Sequence, residues 1–246
     1  MLEWDPGPPA AFATHFENHP DCTPWSARFR MAWGPIFYRG RLDGSAKVIV
    51  IGQDPAPDED VARRILVGDA GQRVQGFLRK LGLVRAYVMV NTFLYGIKGQ
   101  IDQQAKQISA SANIKDWRNQ LLDMLLTPKV EAIIAFGAGA QQVVDLWPGS
   151  AGHLVARLTH PSARDDAALL QNWNQGLPQL LQQVTPDPGG APSAVPYGTA
   201  FTPADIAPIP ARDLAFGVPK WLGNGDTAVR AKGQDWITWK PTAPEG

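Results

Sequence analysis

The sequence predicts a three-layer α/β/α domain around a central four-stranded, mainly parallel sheet. Three observations predict it. Four short, largely apolar runs, at residues 48–51, 86–90, 130–136 and 154–158, read as strands buried on both faces. Stretches with helical apolar spacing separate them, as in successive βα units. Each run stops at a polar or turn-forming residue, and right-handed crossovers set all four strand ends on one edge of the sheet.

The elements follow in order. Residues 1–30 hold Pro6, Pro8, Pro9 and Pro20 around a short helix at 10–18, and Trp4, Phe12, Phe16, Trp25 and Phe29 mark the segment as packed. Residues 35–40 read as a small strand, and Leu42-Asp43-Gly44 as a turn leading into the central strand at 48–51. That strand ends in Gly52-Gln53-Asp54-Pro55. Glycine lets the chain turn sharply, and Pro55 forces Asp54 into extended backbone, which fixes one carboxylate at a strand end. A helix opens at 67–71 with Asp69 as N-cap, carries Val74, Phe77, Leu78 and Leu81 on one stripe, and ends at Gly82. The strand at 86–90 runs directly into Asn91. A polar loop leads to an amphipathic helix at 111–126, striped by Ile114, Trp117, Leu121, Met124 and Leu125 and stopped by Pro128. The strand at 130–136 turns through Gly137-Ala138-Gly139-Ala140 into a helix ending near Trp147. The strand at 154–158 meets Thr159-His160-Pro161-Ser162, and a last helix runs to about residue 184. Residues 1–185 are thus one domain. Residues 186–246 carry ten of the 22 prolines and also Phe216, Trp221, Trp236 and Trp239, so they are expected to wrap back onto it.

Composition excludes several classes. With one cysteine, Cys22, the chain forms no internal disulfide and no Cys-ligated zinc or iron–sulfur centre of its own. The N-terminus lacks the pattern of a signal peptide, and no apolar run approaches the ~18 residues of a membrane span. A soluble, cytoplasmic monomer without cofactor or membrane partner is expected. Lys+Arg and Asp+Glu balance at 23 each, yet residues 61–100 hold seven basic residues and only Asp69 as an acid. Such an excess is either an anion footprint or a set of solvated helix faces. As a footprint it makes Arg63 and Lys98 candidate DNA contacts. Asp58, Glu59 and Asp60 read as a solvated loop.

Asp54, Asn91 and His160 stand at three strand ends and converge on one crevice, where open α/β sheets bind ligands. Asn offers both donor and acceptor to an amide-like edge. His donates to a developing anion, and Asp orients water or stabilises a cation. Each residue alone also has an ordinary structural role: a turn carboxylate, a strand-end cap, a paired buried histidine.

Gly52-Gln53-Asp54-Pro55, Asn91-Thr92 and His160-Pro161-Ser162 together resemble the three signature elements of the uracil-DNA glycosylase superfamily. The first two are similar to family 1. The spacing from Gly52 to Gly71 is similar to family 4, whose four-cysteine cluster this chain cannot supply. The resemblance covers roughly residues 35–185 and implies base flipping and excision of uracil by hydrolysis of the N-glycosidic bond. It implies that Asp54 positions water and stabilises the sugar cation, that His160 meets the charge on the departing base, and that Asn91 reads the amide edge of uracil. It implies contacts from Gly52, Gln53 and Ser162 to base or phosphate, and from Arg164 to the DNA stack. Free uracil would be the product, from single- or double-stranded DNA. Where family 1 has Tyr and His after Gly-Gln-Asp-Pro, this chain has Ala56 and Pro57. Where family 4 has its stacking Phe, it has Leu66, so the base packs on an aliphatic wall or on Phe93 or Tyr95. The alternatives are a catalytically weak DNA- or nucleotide-binding protein of the same fold, and an unrelated small-molecule hydrolase.

Overall fold

The structure is a computed structural model that describes residues 4–218, 227–230 and 237–240. Its strands are β1 (Phe29–Arg30), β2 (Tyr38–Gly40), β3 (Val48–Gly52), β4 (Tyr87–Asn91), β5 (Gly96–Ile97), β6 (Ala132–Phe136), β7 (Leu154–Leu158), β8 (Thr227–Arg230) and β9 (Ile237–Lys240). Its α-helices are α1 (Ala10–Glu17), α2 (Pro57–Ala62), α3 (Asp69–Lys80), α4 (Gln103–Ala110), α5 (Ala112–Leu125), α6 (Ala138–Leu146) and α7 (Asp166–Gln183).

The main sheet has the order β2-β4-β3-β6-β7. The four strands read from the apolar runs are parallel, with Gly52 opposite Asn91 in register. The sheet gains a fifth, antiparallel strand, because Tyr38, Arg39 and Gly40 pair with Val90, Met89 and Val88. Gly40 makes that edge possible: its φ is 100°, and a Cβ there would lie 2.4 Å from the Tyr87 carbonyl oxygen.

Side chains alternate across the sheet with the period of two that strands impose. Ile49, Ile51, Val88, Val90, Ile133 and Ala135 face a layer with Phe16, Trp117, Leu121, Leu122, Val143 and Trp147. Val48, Val50, Tyr87, Met89, Ile134 and Phe136 face the other layer, with Phe77, Leu78, Leu170, Trp173 and Leu177. Burial of both faces yields three layers, and the sheet's carboxyl edge is left to carry polar residues.

Three local readings are corrected. The polar stretch before α5 contains α4: Asp102 accepts the Ala105 N–H at 2.9 Å as its N-cap, and Ala105 and Ile108 are buried. Residues 58–60 are not a solvated loop but part of buried α2. Asp69 is the first residue of α3 rather than its cap; Gly68 takes that position. The Glu59 carboxylate accepts the Val67 N–H at 2.9 Å, just ahead of that cap.

The extension touches the domain at several points. Asp187 accepts the N–H groups of Val84, Arg85 and Ala86. Tyr197 stacks near Phe77 and meets Trp173 edge-on. Asp213, fully buried, pairs with Arg39 and Arg41 and accepts the Tyr87 hydroxyl at 2.7 Å. Ala215 bridges Asp5, while Phe216 is 84% exposed beside Trp4. Trp221, Trp236 and the Trp239 side chain lie outside the described residues.

Candidate active site

The site grows from the end of β3. A Cβ on Gly52 would lie 2.4 Å from Asn91 Oδ1, so only glycine lets the two strand ends come this close. The Gly52 carbonyl accepts the Thr92 N–H and hydroxyl, both at 2.9 Å, and the Gln53 carbonyl accepts the Phe93 N–H at 2.9 Å. The loop after β4 is thereby locked to the loop after β3. Gln53 Oε1 accepts the Gly139 N–H at 3.2 Å, one of the orphan donors of the first turn of α6. At Gly137, φ is 89°, and a Cβ would sit 2.8 Å from Gln53 Oε1 and 3.0 Å from His160 Cβ. The ends of β3, β6 and β7 therefore converge at Gln53, Gly137 and His160.

Asp54 accepts the Ile97 N–H at 2.9 Å. The small ladder of β1 with β5 carries this contact, and Gly96 is needed there because a Cβ would meet the Pro55 carbonyl at 2.7 Å. The carboxylate is partly exposed at the crevice mouth yet densely surrounded by protein. The loss of water pushes its pKa up to about 6. Glu59 adds to the rise, while the Ile97 N–H and Arg30 oppose it.

His160 Nδ1 accepts the Ser162 N–H at 3.2 Å. The ring proton is thus assigned to Nε2, leaving an N–H donor on the other side of the ring. Burial lowers the His160 pKa to about 4, so the imidazole is neutral at physiological pH. Asn91 is 6% exposed, and its Oδ1 is buried without a hydrogen-bond partner. Leu66 stands against Gly52 on the same side as Asn91: its Cδ1 is 3.6 Å from where a Gly52 Cβ would be, and its φ of 53° is a left-handed conformation unusual for leucine. Glu59 is the site residue that sequence reasoning missed. It accepts the N–H of Ala56 at 2.8 Å and of Val67 at 2.9 Å, clamping the Asp54 loop to the Leu66 loop. Pro57 with glutamate two residues on is a helix-start pattern and was its signal.

Asp54, Gln53, Gly52, Asn91, Leu66 and His160 are thus gathered at the carboxyl edge of the sheet. The remaining candidates stand differently. Ser162 is exposed and contributes its backbone N–H to His160. Arg164 is exposed on the turn that begins at Pro161. Lys98 is exposed, with its ammonium 3.4 Å from the Ser26 carbonyl. Arg63 is directed to the Pro35 carbonyl at 2.6 Å, and burial lowers its pKa. The basic excess of residues 61–100 largely ties segments together: Arg64 pairs with Asp5, Arg73 with Asp166 and Lys80 with Asp205, and Arg79 donates to the Ala204 and Ile206 carbonyls. Among the described residues no group of three or more His, Cys, Asp or Glu is placed to hold a metal ion, and no helix is long and apolar enough to cross a membrane.

A family model of the uracil DNA glycosylase superfamily matches residues 39–184, from β2 to the end of α7. The chain belongs to that superfamily. Asp54, Asn91 and His160 all lie within the matched span, as does Glu59, whereas Asp187 and Asp213 lie beyond it. Superfamily membership places the protein among glycosylase-type hydrolases, a family that acts on DNA. A search of curated proteins finds no match.

Proposed function

We propose that the protein is a monofunctional DNA glycosylase that excises uracil and so begins base-excision repair. The observation that carries this reading is the buried, unpaired Asn91 Oδ1 against Gly52 and Leu66, on the sheet edge that also carries a histidine whose free nitrogen is a donor. A buried acceptor without a partner is costly, and a ligand donor that meets it gives selectivity. Uracil offers N3–H to Oδ1 and O4 to the amide Nδ2 of the same asparagine. Cytosine offers an acceptor at N3 and a donor at C4, and mismatches both.

The chemistry follows from the groups. The target nucleotide leaves the stack and enters the crevice. The C1′–N1 bond breaks with its electron pair departing on the base. The neutral His160 Nε2–H meets the oxygen on which that charge collects. Ionised Asp54 stabilises the positive charge on the sugar and orients water, whose oxygen bonds C1′ while its proton passes through the carboxylate to solvent. The products are free uracil and an abasic strand.

The test is incubation with a uracil-containing oligonucleotide, single- and double-stranded, followed by alkaline cleavage at the abasic site. Cleavage at the uracil position is expected. An intact strand in both forms overturns the reading. One observation favours a second reading, a DNA- or nucleotide-binding protein of weak activity: Ala56 is exposed and Leu66 is aliphatic, so neither supplies an aromatic wall for the base. Asp54→Asn separates the two, because a pure binder is indifferent to it.

A further inference from the structure

Arg118 lies on α5, 2% exposed. Its Nη1 donates to Ser109 Oγ at 2.9 Å and to the Thr92 carbonyl at 3.4 Å, and its Nη2 to the Ser109 carbonyl at 3.1 Å. Its Nε is buried and unpaired. These acceptors are all neutral, and among the described residues no carboxylate pairs with the guanidinium. Burial lowers its pKa to about 10, which leaves it charged at neutral pH. A buried charge without a countercharge is costly to a fold, and with little water around it its field reaches far.

The position of this charge matters. Arg118, Thr92 and Asn91 line the same internal cavity. Thr92, whose carbonyl Arg118 holds, directly follows the asparagine that the base would meet. We infer that Arg118 is a positioning residue for departure of the base: an internal cation behind the Asn91–Thr92 strand end that favours negative charge on the leaving base. The inference rests on the uracil reading above. As the C1′–N1 bond breaks, the electron pair spreads from N1 over O2, N3 and O4. His160 meets that charge at one oxygen, and Arg118 lies behind the asparagine that holds the N3–O4 edge. A purely structural arginine, tying the α4–α5 junction to the loop after β4, would not distinguish one leaving base from another.

The experiment measures single-turnover excision from strands carrying one 2′-deoxyuridine or one 5-fluoro-2′-deoxyuridine, whose base is the more acidic leaving group. Arg118→Gln is expected to slow uracil release about tenfold, less than the ~10²-fold or more lost with a donor in direct contact, and 5-fluorouracil release only about threefold. Arg118→Lys keeps the charge, and Ser109→Ala removes one acceptor while leaving the charge; both are expected to keep the wild-type ratio of the two rates. Arg118→Met is a second neutral variant, expected to shift the ratio as glutamine does, should the glutamine protein fail to fold. Equal losses on both bases in the neutral variants, or a lysine variant whose ratio shifts with them, overturn the role of Arg118. Wild-type protein inactive on the uracil strand overturns the uracil reading and this inference with it.

Discussion

Asp54 and Asp187 stand at opposite edges of the same sheet. Asp187 lies at the amino edge, where it accepts three backbone N–H groups, from Val84, Arg85 and Ala86, with Lys47 Nζ 3.3 Å away. Burial raises its pKa, but those donors outweigh burial and hold the carboxyl below its usual range. Asp54 lies at the carboxyl edge with one backbone donor, and burial holds it at about 6. The amino edge is built to satisfy its carboxylate. The carboxyl edge leaves Asp54 short of donors, Asn91 Oδ1 without one, and His160 neutral. Polar groups left wanting at the edge where open α/β sheets take their ligands are where a ligand supplies what the protein does not.

The largest expected effect tests that contrast at Asp54. Asp54→Asn should lower single-turnover excision by about 10³-fold, the range of a positioned acid/base group. The same change should stabilise the fold. The folded pKa of Asp54 lies above the ordinary aspartate value of 3.8, so the stability associated with this group is fully present below that value and is lost as pH rises through about 6. Melting temperatures of variant and wild type should therefore diverge at pH 8, by the equivalent of about 1–2 kcal/mol after allowing for the open mouth, and converge at pH 4. Wild-type activity should rise with pH through about 6, because the carboxylate must be ionised. A rate that falls across that limb would contradict the role given to Asp54.

His160 comes next. His160→Ala should cost about 10²-fold, the loss typical of one donor to a developing anion. A donor with a pKa near 4 adds no further limb to the rate profile between pH 5 and 9. The stability sign is opposite to that of Asp54. The unfolded chain takes up a proton near the ordinary histidine value of 6.5 and the folded site resists it, so this group reduces stability as pH falls from about 6.5 to about 4. Loss of that acid sensitivity in the alanine variant, read by denaturant titration at two pH values, is the check.

These contrasts were only partly legible in the sequence. The parallel strands stood out because burial on both faces removes polar alternation, and the strand-end residues stood out because an apolar run stops at them. The sequence could not show which polar groups would be satisfied. Asp187 sits in what reads as a Pro/Gly linker, and its donors are about a hundred residues away. Asp213 meets Arg39 and Arg41 across separations of 174 and 172 residues, so its burial has no local trace. Glu59 sat among three acids, whose run hid that its side chain turns inward. Gln103, Gln104, Lys106 and Gln107 masked the three buried positions of α4, Ala105, Ile108 and Ser109. The basic run at 61–100 was visible as charge, but its partners were set by tertiary packing.

Asp187→Asn breaks the comparison from the other edge. The amide oxygen can keep the Oδ2 position where all three N–H groups converge, while the NH2 takes the place of Oδ1 and faces the Lys47 ammonium. The loss should be about 1–2 kcal/mol of unfolding free energy, since the three hydrogen bonds lose their charged acceptor and Lys47 loses its countercharge. The excision rate of the folded fraction should stay within about twofold, below the ~10²-fold typical of a positioned acid/base group. A fall in rate comparable to that of Asp54→Asn would mean that the two edges are coupled.

The smallest effect concerns the wall above Asn91. Leu66 already occupies a left-handed backbone position, and phenylalanine, unbranched at Cβ like leucine, adds little backbone cost there. It replaces aliphatic contact with a ring beside the base, and stacking of this kind contributes about 1 kcal/mol. Leu66→Phe should therefore lower the dissociation constant for a uracil-containing strand about fivefold while leaving the single-turnover rate nearly unchanged. The gain depends on the base lying between residue 66 and the Gly52–Asn91 floor. Unchanged affinity in a folded Leu66→Phe protein would place the base elsewhere in the crevice, and would require a different partner for the unpaired Asn91 oxygen.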